Sequence, residues 1–185
     1  MKFVVYAAIF AITSATMLAK GETIKINLAL QRVQIARPYE QVVADIERLI
    51  PAFDVERLET LVDSDTNAEQ ITAVIEEMAG SRPLVRFYRI RSGDLFTVLG
   101  GTRIESVKYI VGNTFIAQKL FTQDLTAGLY VPFTINVYGR EGTTFIEYFQ
   151  PSSFLVQVSN KPETNEIGRQ LDDVMDELIS DLEGH

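Results

Sequence analysis

Apolar and polar residues alternate most cleanly between Leu129 and Gln150, where LYVPFTINVY is followed by GREG and then by TTFIEYFQ. Two such runs joined by a glycine-bearing turn have the pattern of an antiparallel hairpin. With Arg140 and Glu141 as loop residues, Val137 lies opposite Thr144, Ile135 opposite Ile146 and Phe133 opposite Tyr148. The other face pairs Tyr138 with Thr143, Asn136 with Phe145, Thr134 with Glu147 and Pro132 with Phe149, because strand side chains alternate between faces. One face is then apolar and the other aromatic and semi-polar. A slip of one residue would exchange them.

The same reasoning places the remaining elements. Alternation from Glu22 to Ile35 predicts a first strand, with Ile24, Ile26 and Leu28 on one side and Lys25 and Asn27 on the other. Val42, Val43, Ile46, Leu49 and Ile50 recur at helical spacing between Pro38 and Pro51, which bound a helix. After a short helix over 55–62, Thr66 and Glu69 have capping-box spacing ahead of a helix that buries Ile71, Val74, Ile75 and Met78 and stops at Gly80. The β-rich runs 84–90, 95–99 and 104–111, separated by RSGD and GG, predict an antiparallel meander. Gly112 closes the last of them, and Asn113 caps a helix over 114–121 whose Phe115, Ile116, Leu120 and Phe121 share a side. Residues 151–158 are expected to be an exit segment packing on the sheet, with no element of their own. Residues 163–182 form a helix with Ile167, Leu171, Val174, Leu178 and Leu182 inward and Asp172, Asp173, Asp176, Glu177 and Asp181 outward. In outline the order is β-α-β-β-β-α-β-β-α, an α+β fold with helices packed on an antiparallel sheet.

Composition narrows the class. The chain has 185 residues, 46% of them hydrophobic, and a formal charge of -8, which suits one soluble domain over 22–185. That charge, without a basic run anywhere, argues against nucleic acid as a partner. Met1-Lys2, the apolar run Phe3 to Ile12 and the small residues up to Ala19 have the features of a secretory signal peptide, expected over 1–21 with cleavage after Ala15, Ala19 or Gly21. The alternative is a retained anchor, but Phe3 to Ala19 is short for a span and Thr13, Ser14 and Thr16 dilute it. The expected location is periplasmic or secreted, with no membrane association after cleavage. Cysteine is absent, so the core must hold without disulfides.

Candidate chemistry is sparse. His185 is the sole histidine and sits at the last position, which excludes imidazole bases, Ser-His-Asp and Cys-His nucleophiles, and His- or Cys-based metal and haem sites. Gly100-Gly101 has no following Lys and reads as a hairpin turn rather than a phosphate loop. No cofactor and no metal is expected, since Asp172 with Asp176, and Glu76 with Glu77, read as solvated helix faces. Strict alternation sends Arg89 and Arg91 to one face of their strand and Arg86 to the other, which reduces a possible carboxylate-binding patch to scattered charge. Gly112 and Asn113 mark a helix start that either receives an anion or is simply capped by the Asn. The best candidate surface is the mixed hairpin face, taken as Tyr130, Asn136, Tyr138, Phe145, Glu147 and Phe149. Aromatic walls with a few polar groups suit a small-molecule cleft or a subunit interface, unless the N-terminal helix covers that face.

Several ordered motifs carry a resemblance: YIVGNTFIA from Tyr109 to Ala117, Asp124, AGLYVPF from Ala127 to Phe133, Tyr148, PSSF from Pro151 to Phe154, and Leu171-Asp172. Over about residues 66–183 they resemble bacterial members of the domain of unknown function 302 family. The usual Gly-Asn-Pro is here Gly-Asn-Thr114, and either residue suits a first helical position. The resemblance implies a curved antiparallel sheet backed by helices, similar to the TATA-binding-protein arrangement, a tendency to pair as homodimers, and no accepted activity. The expectation is therefore an exported, non-enzymatic binding or accessory domain, homodimeric, whose mixed face meets a second subunit or a small, partly apolar ligand. The alternative is a cofactor-independent enzyme with Glu147 as acid or base beside Tyr138 or Tyr148.

Overall fold

A computed structural model describes residues 21–64, 66–80, 82–159 and 161–184. The expected signal peptide, Gly21 apart, and His185 lie outside the described residues. Among the described residues five strands form one antiparallel sheet in the order β1-β5-β4-β3-β2. They are β1 (Leu30–Ile35), β2 (Val85–Ile90), β3 (Ser106–Gly112), β4 (Phe133–Arg140) and β5 (Thr143–Phe149). The helices are α1 (Tyr39–Leu49), α2 (Val55–Asp63), α3 (Ala68–Ala79), α4 (Ser92–Gly100), α5 (Thr114–Gln123), α6 (Pro151–Val158) and α7 (Pro162–Glu183), with a 3-10 turn at Leu125–Leu129. Among the described residues no helix is long and apolar enough to cross a membrane.

The β4–β5 hairpin forms where alternation placed it, but its turn is one residue later. Glu141 and Gly142 make the two-residue connection, both with positive φ (53° and 78°), the conformation that matches the right-handed twist of the flanking strands. The pairs are therefore Arg140 with Thr143, Tyr138 with Phe145, Asn136 with Glu147 and Ile135 with Tyr148. Each residue meets a partner two positions away from the expected one, so no side chain changes face. Ile135, Val137, Ile146 and Tyr148 are buried, together with Val107, Tyr109 and Val111 of β3.

Helices α1 and α7 seal this face. Val42, Val43, Ile46 and Leu49 of α1 and Ile167, Leu171, Met175, Leu178, Ile179 and Leu182 of α7 belong to the same cluster as the strand residues. A second, smaller cluster of Phe53, Ile75 and Val85 ties α2 and α3 to the start of β2. On α3 only Ile75 is fully buried, and the capping box is Asn67 with Gln70 rather than Thr66 with Glu69. The Asn67 side-chain Oδ1 accepts from Gln70 N at 2.9 Å, because the helix starts one residue later than the sequence spacing implies.

Three further expectations are corrected. Residues 95–99 are not a strand but part of α4, and Gly101, at φ 70°, is its left-handed C-terminal cap rather than a hairpin turn. Residues 151–158 are a helix, α6, whose N-terminal end is met by α7: the Asp172 carboxylate accepts from the Ser152 backbone N at 3.0 Å and from the Gln150 side-chain Nε2 at 2.9 Å. Asp172 is thus a structural cap and not part of a solvated face. The first strand is confined to β1, and 22–29 runs beside α6 instead, with Asn27 N donating to Gln157 Oε1 at 2.8 Å and Ala29 N to Ser153 Oγ at 3.1 Å. Ile24 is 75% exposed.

Arg37 stitches the ends of the fold together. Its guanidinium donates to Asp45 of α1 at 2.7 Å and to the Leu182 carbonyl of α7 at 3.0 Å, while its own carbonyl accepts from Thr144 of β5 at 2.7 Å. The Arg37 hydrogen bond holds the Asp45 carboxyl below its ordinary value. A group depressed in the folded state adds stability above its unfolded value and loses it as pH falls through the folded value. Asp45→Asn should therefore cost about 1 kcal/mol at pH 6 and progressively less below about pH 4, read by urea unfolding across pH. Glu141→Asn, better suited to positive φ, should stabilise by about 0.5 kcal/mol in the same assay.

Candidate functional site

The face of the sheet turned away from α1 and α7 carries Leu30, Arg32 and Gln34 of β1, Phe145, Glu147 and Phe149 of β5, Thr134, Asn136 and Tyr138 of β4, Ser106, Lys108 and Ile110 of β3, and Tyr88 and Ile90 of β2. None of these side chains is buried by a described element. Leu30 is 50% exposed, Tyr88 58%, Ile90 47% and Phe149 47%. The N-terminal helix packs on the opposite face, so it does not cover the mixed surface.

Of the expected site residues, Asn136, Tyr138, Phe145, Glu147 and Phe149 come together here. Tyr138 and Phe145 are directly paired and their rings stack, with centroids 5.2 Å apart and planes 14° from parallel. Glu147 accepts from Arg32 Nε at 2.5 Å and from the Tyr138 hydroxyl at 3.2 Å. Partial burial, and then the adjacent Glu147 carboxylate, push the Tyr138 phenol up. With both partners in place, the Glu147 carboxylate is a structural acceptor between β1 and β4.

Tyr130, Gly112 and Asn113 lie elsewhere. Tyr130 stacks on Phe154 of α6, centroids 5.5 Å apart, and packs against the main core. Asn113 caps α5: its side-chain oxygen accepts from Phe115 N at 2.9 Å and Ile116 N at 3.1 Å, and its amide donates to the Pro83 carbonyl at 3.0 Å. The cap takes two of the N–H groups an anion would use. A Cβ at Gly112 would come within 3.2 Å of Phe87 and 3.3 Å of Pro132, which explains a glycine where the strand enters the helix. Among the described residues no group of three or more acidic or His side chains is placed to hold a metal ion.

Strict alternation missed a second feature. In β2 the pairing runs Arg86 with Val111, then Tyr88 with Ile110 and Arg89 with Tyr109, so Phe87 is an extra residue in a bulge. The bulge returns Arg86 and Arg89 to the same, inner face. Both reach Glu47 of α1: Arg89 Nε lies 3.0 Å from Oε1 and Arg86 Nη1 3.7 Å from Oε2. Tyr109 donates its hydroxyl to Glu47 Oε1 at 2.9 Å, and burial followed by that contact pushes its phenol up. Of these groups Glu47 and Arg89 line a cleft of about 680 Å³ between α1 and α4, floored by β3, with Arg86 and Tyr109 behind them.

The comparisons with known proteins address the fold. The model of the family described as Domain of unknown function DUF302 matches residues 60–182. The chain belongs to the DUF302 family. Its fold is similar to the crystal structure of an uncharacterized conserved DUF302 protein from Bacillus stearothermophilus, with a TM-score of 0.55 and 16% identity over 82% of this chain and 95% of that one. No curated protein matches it. Both the α+β class and the DUF302 resemblance of the motifs are thereby established, whereas β1 and α1 lie upstream of the matched residues.

The Tyr138–Phe145 stack can be measured within the DUF302 sheet. A double-mutant cycle of Tyr138→Leu and Phe145→Leu, followed by chemical unfolding, should give a coupling of about 1 kcal/mol beyond the loss of buried area.

Proposed function

We propose that this DUF302 domain is a non-enzymatic binding or accessory module, exported from the cytoplasm, whose open sheet face packs against the same face of a second copy. The observation that carries this reading is the uncovered row Leu30, Phe149, Thr134, Ile110 and Tyr88, which crosses all five strands and is apolar at four of its five positions. A water-facing antiparallel sheet normally presents polar side chains there. Five strands spaced about 4.8 Å apart, each about 20 Å long, give a projected area of roughly 500 Å². Side-chain relief raises its accessible surface towards the ~800 Å² per partner of a standard interface.

The charges on the face suit self-association. Arg32 and Glu147 neutralise each other across β1 and β5, which leaves Lys108 on β3 as the cation of the central row. A two-fold axis along β4 would set β3 of one copy over β5 of the other and bring Lys108 to the Arg32–Glu147 pair. The aromatic side chains Tyr88, Tyr138, Phe145 and Phe149 are of the kind enriched at such interfaces.

Sedimentation equilibrium tests the reading. The mature chain should sediment as a dimer, and Tyr88→Lys with Phe149→Lys should weaken association at least tenfold. Both positions are exposed in the single chain, so its circular dichroism and unfolding midpoint should stay unchanged at low concentration. A wild-type chain that stays monomeric at concentrations of about 100 μM would defeat the proposal.

A further inference from the structure

We propose that the cleft between α1 and α4 is a binding site for a small zwitterion of the amino-acid type, one carboxylate and one ammonium on a partly apolar body. The site is separate from the open sheet face and does not depend on its role. Four of the chain's eleven arginines gather in and behind this cleft, in a protein of net charge -8. Arg89, Arg91 and Arg103 line it, with Arg86 behind Glu47; the carboxylates are Glu40, Glu47, Asp94 and Glu105. Four cations face four anions, so a ligand with net charge of either sign gains little, while a bipolar one is matched at both ends.

The charges are not evenly mixed. At one end Arg86 and Arg89 share the single carboxylate Glu47, and Arg86 Nη1 is buried without a hydrogen-bond partner among the described residues. Arg89 meets Glu47, and Arg91 meets Asp94, through Nε, so the terminal nitrogens of both guanidiniums are left for a carboxylate fork. At the other end one cation, Arg103, is shared by Glu40 and by Glu105 at 3.0 Å, an excess of negative charge that suits an ammonium. Tyr39, Val43, Val98 and Ile104 supply apolar wall between the two ends. About 680 Å³ is within the usual range for small-molecule sites.

The walls are fixed in place. A Cβ on Gly93 would lie 2.4 Å from the Ile104 carbonyl and 2.6 Å from Ser106 N, so α4 rests backbone to backbone on the start of β3. The Thr97 hydroxyl donates to the Gly93 carbonyl at 2.7 Å and accepts from Ile104 N at 2.8 Å, which pins the cleft's outer rim. The opposite wall, α1, lies upstream of the residues matched by the family, so two of the four carboxylates, Glu40 and Glu47, are contributed by the chain's N-terminal segment.

Isothermal titration of the mature protein with a panel of free amino acids and dipeptides tests the assignment, with acetate, isovalerate and isobutylamine as one-ended controls. At least one zwitterion should bind with a dissociation constant at or below about 1 mM and the one-ended compounds at least tenfold more weakly. Arg91→Gln and Glu40→Gln, both at exposed side chains, should each weaken zwitterion binding about tenfold, and Lys108→Gln on the far face should not. Absence of binding across the panel at 10 mM would overturn the proposal. So would carboxylates that bind as well as zwitterions with no effect of Glu40→Gln, since that result describes an anion site.

Discussion

The structure depends on burial of one face of a five-stranded sheet against α1 and α7. Tyr109, Ile135, Val137 and Ile146 are fully sealed there, and their registration follows from the two-residue turn at Glu141-Gly142. Side chains alternate with period two, so a turn displaced by one residue changes every cross-strand partner and leaves every face intact. The sorting of β4 and β5 into an oily layer and a semi-polar layer is robust for that reason. The hydrogen-bonded pairs themselves depend on where positive φ is tolerated, and Gly142 decides that more than Arg140 could.

What could be read from the sequence follows the strength of local signals. The hairpin, α1 between its prolines, the Asn113 cap and α7 are each specified by a periodic run with a physical stop or start at its ends. Leu95 to Leu99 is different: a five-residue apolar run has neither period, and Gly-bearing flanks serve a hairpin as well as a capped helix. Tertiary contact decides it, because Gly93 allows the helix to touch β3 directly. The stretch 22–29 alternates like a strand, but the N–H groups of Asn27 and Ala29 donate to α6 side chains and no residue before Leu30 belongs to the ladder. Alternation alone cannot supply a neighbouring strand.

The candidate site divides in the same way. Asn136, Tyr138, Phe145, Glu147 and Phe149 were legible as a group because they lie on adjacent strands with period two. Tyr130 was not separable from them, since the helical side of the fold claims it through Phe154, a contact made after the chain has left the sheet. The charged cleft was hidden by one inserted residue. A bulge at Phe87 has no sequence mark of its own, and it cancels the alternation that would have parted Arg86 from Arg89.

That bulge also explains how one edge strand serves two surfaces. Before it, Arg86 faces inward to Tyr109 and Glu47; after it, Arg89 faces inward while Tyr88 and Ile90 face out. With the Arg86–Val111 register carried on unbroken, Tyr88 and Ile90 would turn towards α1, and Arg89 would move to the open face opposite Lys108. A second cation beside Lys108 on the open face would oppose sheet-to-sheet packing through desolvation and repulsion, and Glu47 would lose the partner at 3.0 Å that engages its carboxylate. The single extra residue therefore keeps the outer face apolar and the inner cleft charged, and neither surface keeps its character without it.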